Sequence, residues 1–232
     1  MRSTAVTDTV TRLSLYGAVN AYLVREDDGF TLVDTTLPKH AADIIAAARA
    51  EGGEIRRIAL THGHGDHVGS LDELRDTLGR DVPILMGDLD VRIHAGEKVT
   101  DRKPTGSWPT LRATPDVRLN GGDRVGSLQV VESPGHTPGH VAFFDARTGV
   151  LIAGDVFSTL GGVAVASYPY WRFPLPGMVT FDKPQNLRSA GALRALDPSV
   201  LVVGHGREVR SPAAAIDAAI ARAQRKLGAA AR

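Results

Sequence analysis

Three imidazoles and a carboxylate fall within the short run Thr61-His62-Gly63-His64-Gly65-Asp66-His67. A histidine-rich surface loop is the plain alternative. However, clustered imidazoles repel one another when protonated, and each needs a partner for both ring nitrogens when buried. A divalent cation removes both difficulties, because neutral imidazoles and ionised carboxylates are its preferred ligands. Gly63 and Gly65 are expected to let the backbone turn so that alternate side chains converge.

Three further polar positions stand at the ends of apolar stretches: His136 in Ser133-Pro134-Gly135-His136-Thr137-Pro138-Gly139-His140, Asp155 in Gly154-Asp155, and His205 in Gly204-His205-Gly206. With the first run they make seven candidate ligands: His62, His64, Asp66, His67, His136, Asp155 and His205. A catalytic tetrahedral zinc takes three protein ligands and a water, so seven suit two ions. His62, His64 and His136 would hold one, Asp66, His67 and His205 the other, and Asp155 would bridge. Two adjacent ions would share a solvent molecule and make it a hydroxide near neutral pH, and Asp66 could hold or shuttle a proton. Zinc is the first expectation, with manganese or iron also compatible. Asp34 follows apolar Leu32 and Val33. It is either a turn or cap residue, or an acid that accepts a bond from a ligand histidine or its loop. His40 and His94 are expected to face solvent, and His140 to play a hydrogen-bonding role.

The elements that must carry these residues can be read from periodicity and breakers. Residues 19–24 and 30–33 read as a hairpin about Gly29. Residues 38–51 form an alanine-rich helix stopped by Gly52-Gly53, and 55–60 a strand that delivers the histidine run. A helix over 68–79, a strand over 83–86 and a helix over 88–97 follow. Residues 98–116 are basic and punctuated by proline, and read as a loop that is either a binding loop or a solvated connection. Residues 117–119 and 128–132 read as a hairpin-like pair, 141–144 and 150–153 as strands. The segment with Tyr168, Tyr170, Trp171 and Phe173 is the aromatic cluster of the chain, read as packing or as an apolar wall over the metal site with Tyr168, Tyr170 and Trp171 touching substrate. A helix over 187–196, a strand over 200–203 and a terminal helix after Ser211-Pro212 complete an α/β layered domain over residues 1–232.

Bulk properties narrow the function. Lys plus Arg total 27 against 26 for Asp plus Glu, so no global field draws nucleic acid or a membrane surface. Cysteine is absent, which removes disulfides, thiolate ligands and a thiol nucleophile, and fits a cytoplasmic protein. No apolar run is long enough for a membrane span, and no signal-peptide pattern opens the chain. The expected partner is a small-molecule substrate, acted on by a monomer or homodimer.

The ordered set Asp34, His62-x-His64-x-Asp66-His67, Pro-Gly-His136-Thr-Pro-Gly-His140, Gly154-Asp155 and Gly204-His205-Gly206 resembles the metallo-β-lactamase-fold hydrolase superfamily over nearly the whole chain, and most of all its glyoxalase II-like branch. The resemblance implies an αββα four-layer sandwich with two mixed sheets face to face, a dinuclear site at one edge, and a role for Asp34 behind the ligands. It also implies hydrolysis of an ester, thioester or lactone bond. Gly161-Gly162-Val163 and Ser158 depart from the residues that glyoxalase II and acyl-homoserine lactonases place there. The alternative that the resemblance keeps open is a mononuclear iron persulfide dioxygenase-like oxidoreductase.

Overall fold

In the computed structural model, which describes residues 1–230, seven strands form one sheet in chain order. They are β1 (Arg2–Ala5), β2 (Val10–Leu15), β3 (Val19–Glu26), β4 (Gly29–Val33), β5 (Ile55–Leu60), β6 (Ile84–Gly87) and β7 (Val117–Leu119). β1 to β4 pair antiparallel, and β4 to β7 pair parallel. Parallel neighbours need crossovers, and helices supply them. Helix α1 (Ala41–Ala50) joins β4 to β5; α2 (Gly65–Val68) and α3 (Leu71–Leu78) join β5 to β6; and α4 (Asp88–His94) follows β6.

The second sheet contains β8 (Arg124–Val125), β9 (Leu128–Glu132), β10 (Val141–Asp145), β11 (Val150–Ile152), β14 (Val200–Val202) and β15 (Val209–Arg210), in the order β15-β14-β11-β10-β9-β8. β12 (Phe157–Ser158) and β13 (Ala164–Val165) make a separate ribbon. Helices α5 (Leu175–Val179), α6 (Lys183–Arg194) and α7 (Ala213–Ala230) complete the chain.

Side-chain alternation stacks these parts in four layers. Leu32 on β4 packs under α1 and α3 with Ile44, Leu71 and Leu74, whereas its neighbour Val33 joins the core between the sheets. On β10, Val141 and Phe143 fill that central core, while Ala142 turns to the core shared with Leu193 of α6 and Ile216 of α7. The order is therefore helix, sheet, sheet, helix. None of the helices is long and apolar enough to cross a membrane, among the described residues.

Several boundaries differ from the sequence expectation. The helix expected over 68–79 is two helices, and the first begins inside the histidine run at Gly65. The helix expected over 187–196 starts earlier, because the Asp182 carboxylate accepts the Gln185 N–H at 2.8 Å and caps it, with Pro184 in the first turn. Residues 117–119 and 128–132 are not a hairpin. β7 pairs with β6 in the first sheet and β9 with β8 and β10 in the second, so the Asn120–Asp123 turn carries the chain between sheets. Turn chemistry is the same in both arrangements, and only tertiary packing separates them. The true hairpin turns at Gly126, with φ +58°.

Candidate metal centre

All seven candidate ligands come together at one edge of the sandwich. Asp34, the 61–67 run, Asp155 and His205 follow β4, β5, β11 and β14, and His136 lies in the turn between β9 and β10. Their ligand atoms form three overlapping groups, each within 4.8 Å: His62, His64 and His136; His62, His67 and Asp155; and Asp66, His67 and His205. Asp155 reaches both ends. Its Oδ1 lies 3.5 Å from His67 Nε2, and its Oδ2 lies 3.1 Å from His205 Nε2 and 3.5 Å from His136 Nε2.

The outer nitrogen of every ring is held. His62 Nδ1 meets Thr61 Oγ1 at 3.0 Å, and His67 Nδ1 meets Asp34 Oδ2 at 2.8 Å. His64 Nε2 donates to the Thr105 carbonyl at 2.9 Å and His205 Nδ1 to the Ala18 carbonyl at 3.0 Å, while His136 Nδ1 meets Thr180 Oγ1 at 3.0 Å. Such partners fix ring orientation and tautomer, leaving the inner nitrogen free to ligate. The inner atoms are short of partners. His62 Nε2, His67 Nε2 and Asp155 Oδ1 are buried without a hydrogen bond, and His64 Nδ1 faces His136 Nε2 at 3.1 Å. Buried polar atoms left unpaired are costly, and a shared cation satisfies them together.

Behind the ligands, Asp34 accepts the Thr61 N–H at 2.8 Å as well as the Thr61 hydroxyl and His67. Asp90, at the start of α4, was not singled out by the sequence. Fully buried, it accepts the Gly63 N–H at 2.9 Å, the Thr137 hydroxyl at 2.7 Å and the Gly139 N–H at 2.7 Å, and so joins the two ligand loops. His94 corrects the expectation of a solvent-facing residue. Its ring packs 5.1 Å from Trp108 and its Nε2 donates to the Gly63 carbonyl at 3.0 Å. Gly63 itself has no positive φ; a Cβ there would meet the Trp108 ring at 2.5 Å and His94 Nε2 at 2.6 Å, so space rather than turning explains the glycine.

Electrostatics divide the cluster. Burial, reinforced by the neighbouring imidazoles, pushes His62 well below its ordinary value, and burial lowers His64 and His136 as well, so these rings stay neutral with lone pairs to offer. At the other end burial is outweighed. Asp155, Asp34 and Asp66 raise His67, and Asp155 and Asp66 raise His205 to about 10. Burial likewise fails to keep Asp66 and Asp155 protonated against these histidines, and both are held well below the carboxylate range. This end calls for positive charge, and a cation binding there displaces protons.

A hollow of about 630 Å³ opens over the cluster, lined by His64, Asp66, Asp155 and His205 together with Ser107, Leu111, Phe173 and Leu175. Phe173 lies 5.3 Å from the His205 ring. The expectation that Tyr168, Tyr170 and Trp171 wall this site is corrected. Tyr168 is buried in the core under α6 and α7, and Tyr170 and Trp171 line a second hollow beside α7. The chain reverses through a bridge between Tyr170 and Phe173, which sends the earlier aromatics away from the metal centre. Gly106, Ser107, Pro109, Thr110 and Leu111 of the long loop also line the hollow.

Comparison with known proteins agrees with this architecture. The family model described as the metallo-beta-lactamase superfamily matches residues 16–205. The chain is 41% identical over 229 residues to the uncharacterised protein YobT of Bacillus subtilis, covering 94% of this chain and 97% of that one. It is 34% identical over 154 residues to a hydroxyacylglutathione hydrolase of Rhodopseudomonas palustris, covering 64% of this chain and 52% of that one, so the match spans about half of that relative. Among solved structures, the di-iron-bound form of TTHA1623 superposes with a TM-score of 0.67 at 28% identity, over 87% of this chain and 95% of the other. The histidine and aspartate cluster, the layered sheets and the family match lead to one conclusion: this chain belongs to the metallo-β-lactamase superfamily.

Proposed function

We propose that the protein is a dinuclear metallo-hydrolase that cleaves an ester, thioester or lactone bond of a small molecule. The observation that carries this reading is the facing set of buried, unpartnered atoms on His62, His67 and Asp155, each backed by a partner that fixes its orientation or by an adjoining ligand. His62, His64 and His136 would hold one ion and Asp66, His67 and His205 the other, with Asp155 between them. The donor set of imidazole and carboxylate suits zinc, and also manganese or iron. When bound, the ions supply an activated water at neutral pH and polarise the substrate carbonyl.

The chain's own groups do the rest. Asp66 is the least buried ligand, with its side chain 34% exposed to the hollow and its Oδ2 3.3 Å from His205 Nε2. Held ionised, it orients the attacking water and carries its proton toward the leaving oxygen or sulfur. In the overall step the water oxygen bonds to the carbonyl carbon, the acyl C–O or C–S bond breaks, and the leaving atom gains a proton. The apolar walls of Phe173 and Leu111 keep competing solvent from the carbonyl. The mononuclear iron dioxygenase alternative draws no support from the relatives.

The test is turnover of a panel of p-nitrophenyl esters, acyl thioesters and lactones by protein dialysed against zinc, manganese or iron(II). Hydrolysis of at least one class, lost on chelation and regained on metal return, is expected. No hydrolysis of any class by metal-replete protein would overturn the reading.

A further inference from the structure

The hollow over the metal centre has a wall that is mostly apolar away from the ligands. Away from the ligand cluster Leu37, Leu111, Phe173, Leu175, Pro176 and Val179 line it beside the hydroxyl-bearing Ser107 and Thr110, and no lysine or arginine lines it among the described residues. The charged side chain on that wall is an acid, Asp72, whose carboxylate accepts the backbone N–H groups of Arg112 and Ala113 at 3.0 and 2.8 Å. The Arg112 guanidinium does not line the hollow; its Nη2 lies 2.8 Å from Asp76 and its Nε 3.6 Å from Asp72.

The two segments that build the walls carry cations, but both turn them elsewhere. In the long loop, Lys98, Arg102 and Lys103 line a separate hollow, and Arg102 stacks on Phe181 and bonds its carbonyl. In the aromatic segment, Arg172 lies over the Trp171 ring and donates to the Gly161 carbonyl at 2.7 Å. What the walls show at the mouth is aliphatic instead: Leu175 on α5 is 59% exposed. Exposed apolar surface gathered at the lip of a site marks a place where a ligand covers it.

We propose that this hollow receives an uncharged, aliphatic acyl arm and discriminates against a substrate whose arm ends in a carboxylate. The inference rests on the hydrolase reading and narrows it. A carboxylate carried along this wall would lose its water with no lysine or arginine on the wall to replace it, whereas each added methylene gains from leaving water.

The experiment compares kcat/KM of metal-replete protein for p-nitrophenyl acetate, butanoate and hexanoate, and for hexanoate against the mono-p-nitrophenyl ester of adipic acid. A rise of about threefold per methylene, a charged ester at least about tenfold slower than its neutral match, and a narrowed gap in Leu175→Arg are expected. A flat chain-length series, or a charged ester hydrolysed as fast as the neutral one, would overturn the inference while leaving the hydrolase reading intact. If nothing is hydrolysed, the hydrolase reading fails and the pocket is judged by binding. Hexanamide is then compared, by NMR titration of the same protein, with a matched amide ending in a sulfonate, a poor ligand for divalent ions. Tighter binding of hexanamide supports the inference, and equal or tighter binding of the sulfonate overturns it.

Discussion

His140 shows how a single buried side chain adjusts the metal centre without being part of it. The Asp155 backbone N–H can only donate, so His140 Nε2, 3.1 Å away, must accept, and the ring proton sits on Nδ1 against Ser133 Oγ at 2.9 Å. Burial, which strips water from the charged form, pushes the ring down to about 3, helped by the neighbouring His67 and His64. A depressed base contributes its full stability above its unfolded value of 6.5 and loses it as pH falls from there toward 3. Each pH unit of that window costs about 1.4 kcal/mol for one excluded proton. Denaturant unfolding of the chelated protein is therefore expected to weaken more steeply between pH 6.5 and 4 in the natural protein than in His140→Gln, where the amide offers the same acceptor and donor without titrating. Identical slopes would count against this role. The ligand types were legible in the sequence because they crowd into short loops. Their supports were not, since His64, His136 and His205 are held by partners 41, 44 and 187 residues away, and two of the three are backbone carbonyls with no residue type to read.

At the scale of elements, α4 does more than cross over from β6. Through Asp90 it fastens the loop after β5 to the turn between β9 and β10, the two loops that carry His62, His64 and His136. Asp90→Ala strands two buried N–H groups and lets these loops drift apart, so metal retention is expected to fall about 10- to 100-fold. Competition against a chromophoric chelator measures this, and unchanged retention in a folded variant would show that the tie is packing alone. The strand-end positions of the ligands were readable because apolar runs ended in Asp or Gly-His. The pairing of β7 and the break between α2 and α3 were not, because which strand a segment joins and where a helix is interrupted are decided by distant packing.

At the scale of the whole molecule, the site depends on two sheets meeting. Strand β3 of the first sheet holds the His205 loop of the second: Asn20 Nδ2 donates to the carbonyls of Val203 at 3.0 Å and Gly206 at 2.7 Å, and the Tyr22 hydroxyl donates to the Val203 carbonyl at 2.7 Å. Gly204 lies so close to Asp155 and His67 that a Cβ would collide with both, which fixes how near the sheets' loops approach. The four-layer order followed from motif resemblance, whereas this clamp between sheets left no local signal. Because the candidate ligands come from both sheets, metal binding across them would stabilise the closed sandwich. The proposal that this edge holds two ions is tested most directly by the metal content per chain after saturation and removal of loosely held ions. Two equivalents in the natural protein, reduced in Asp155→Ala, are the predicted result; one equivalent at saturation, or two retained in Asp155→Ala, would contradict it.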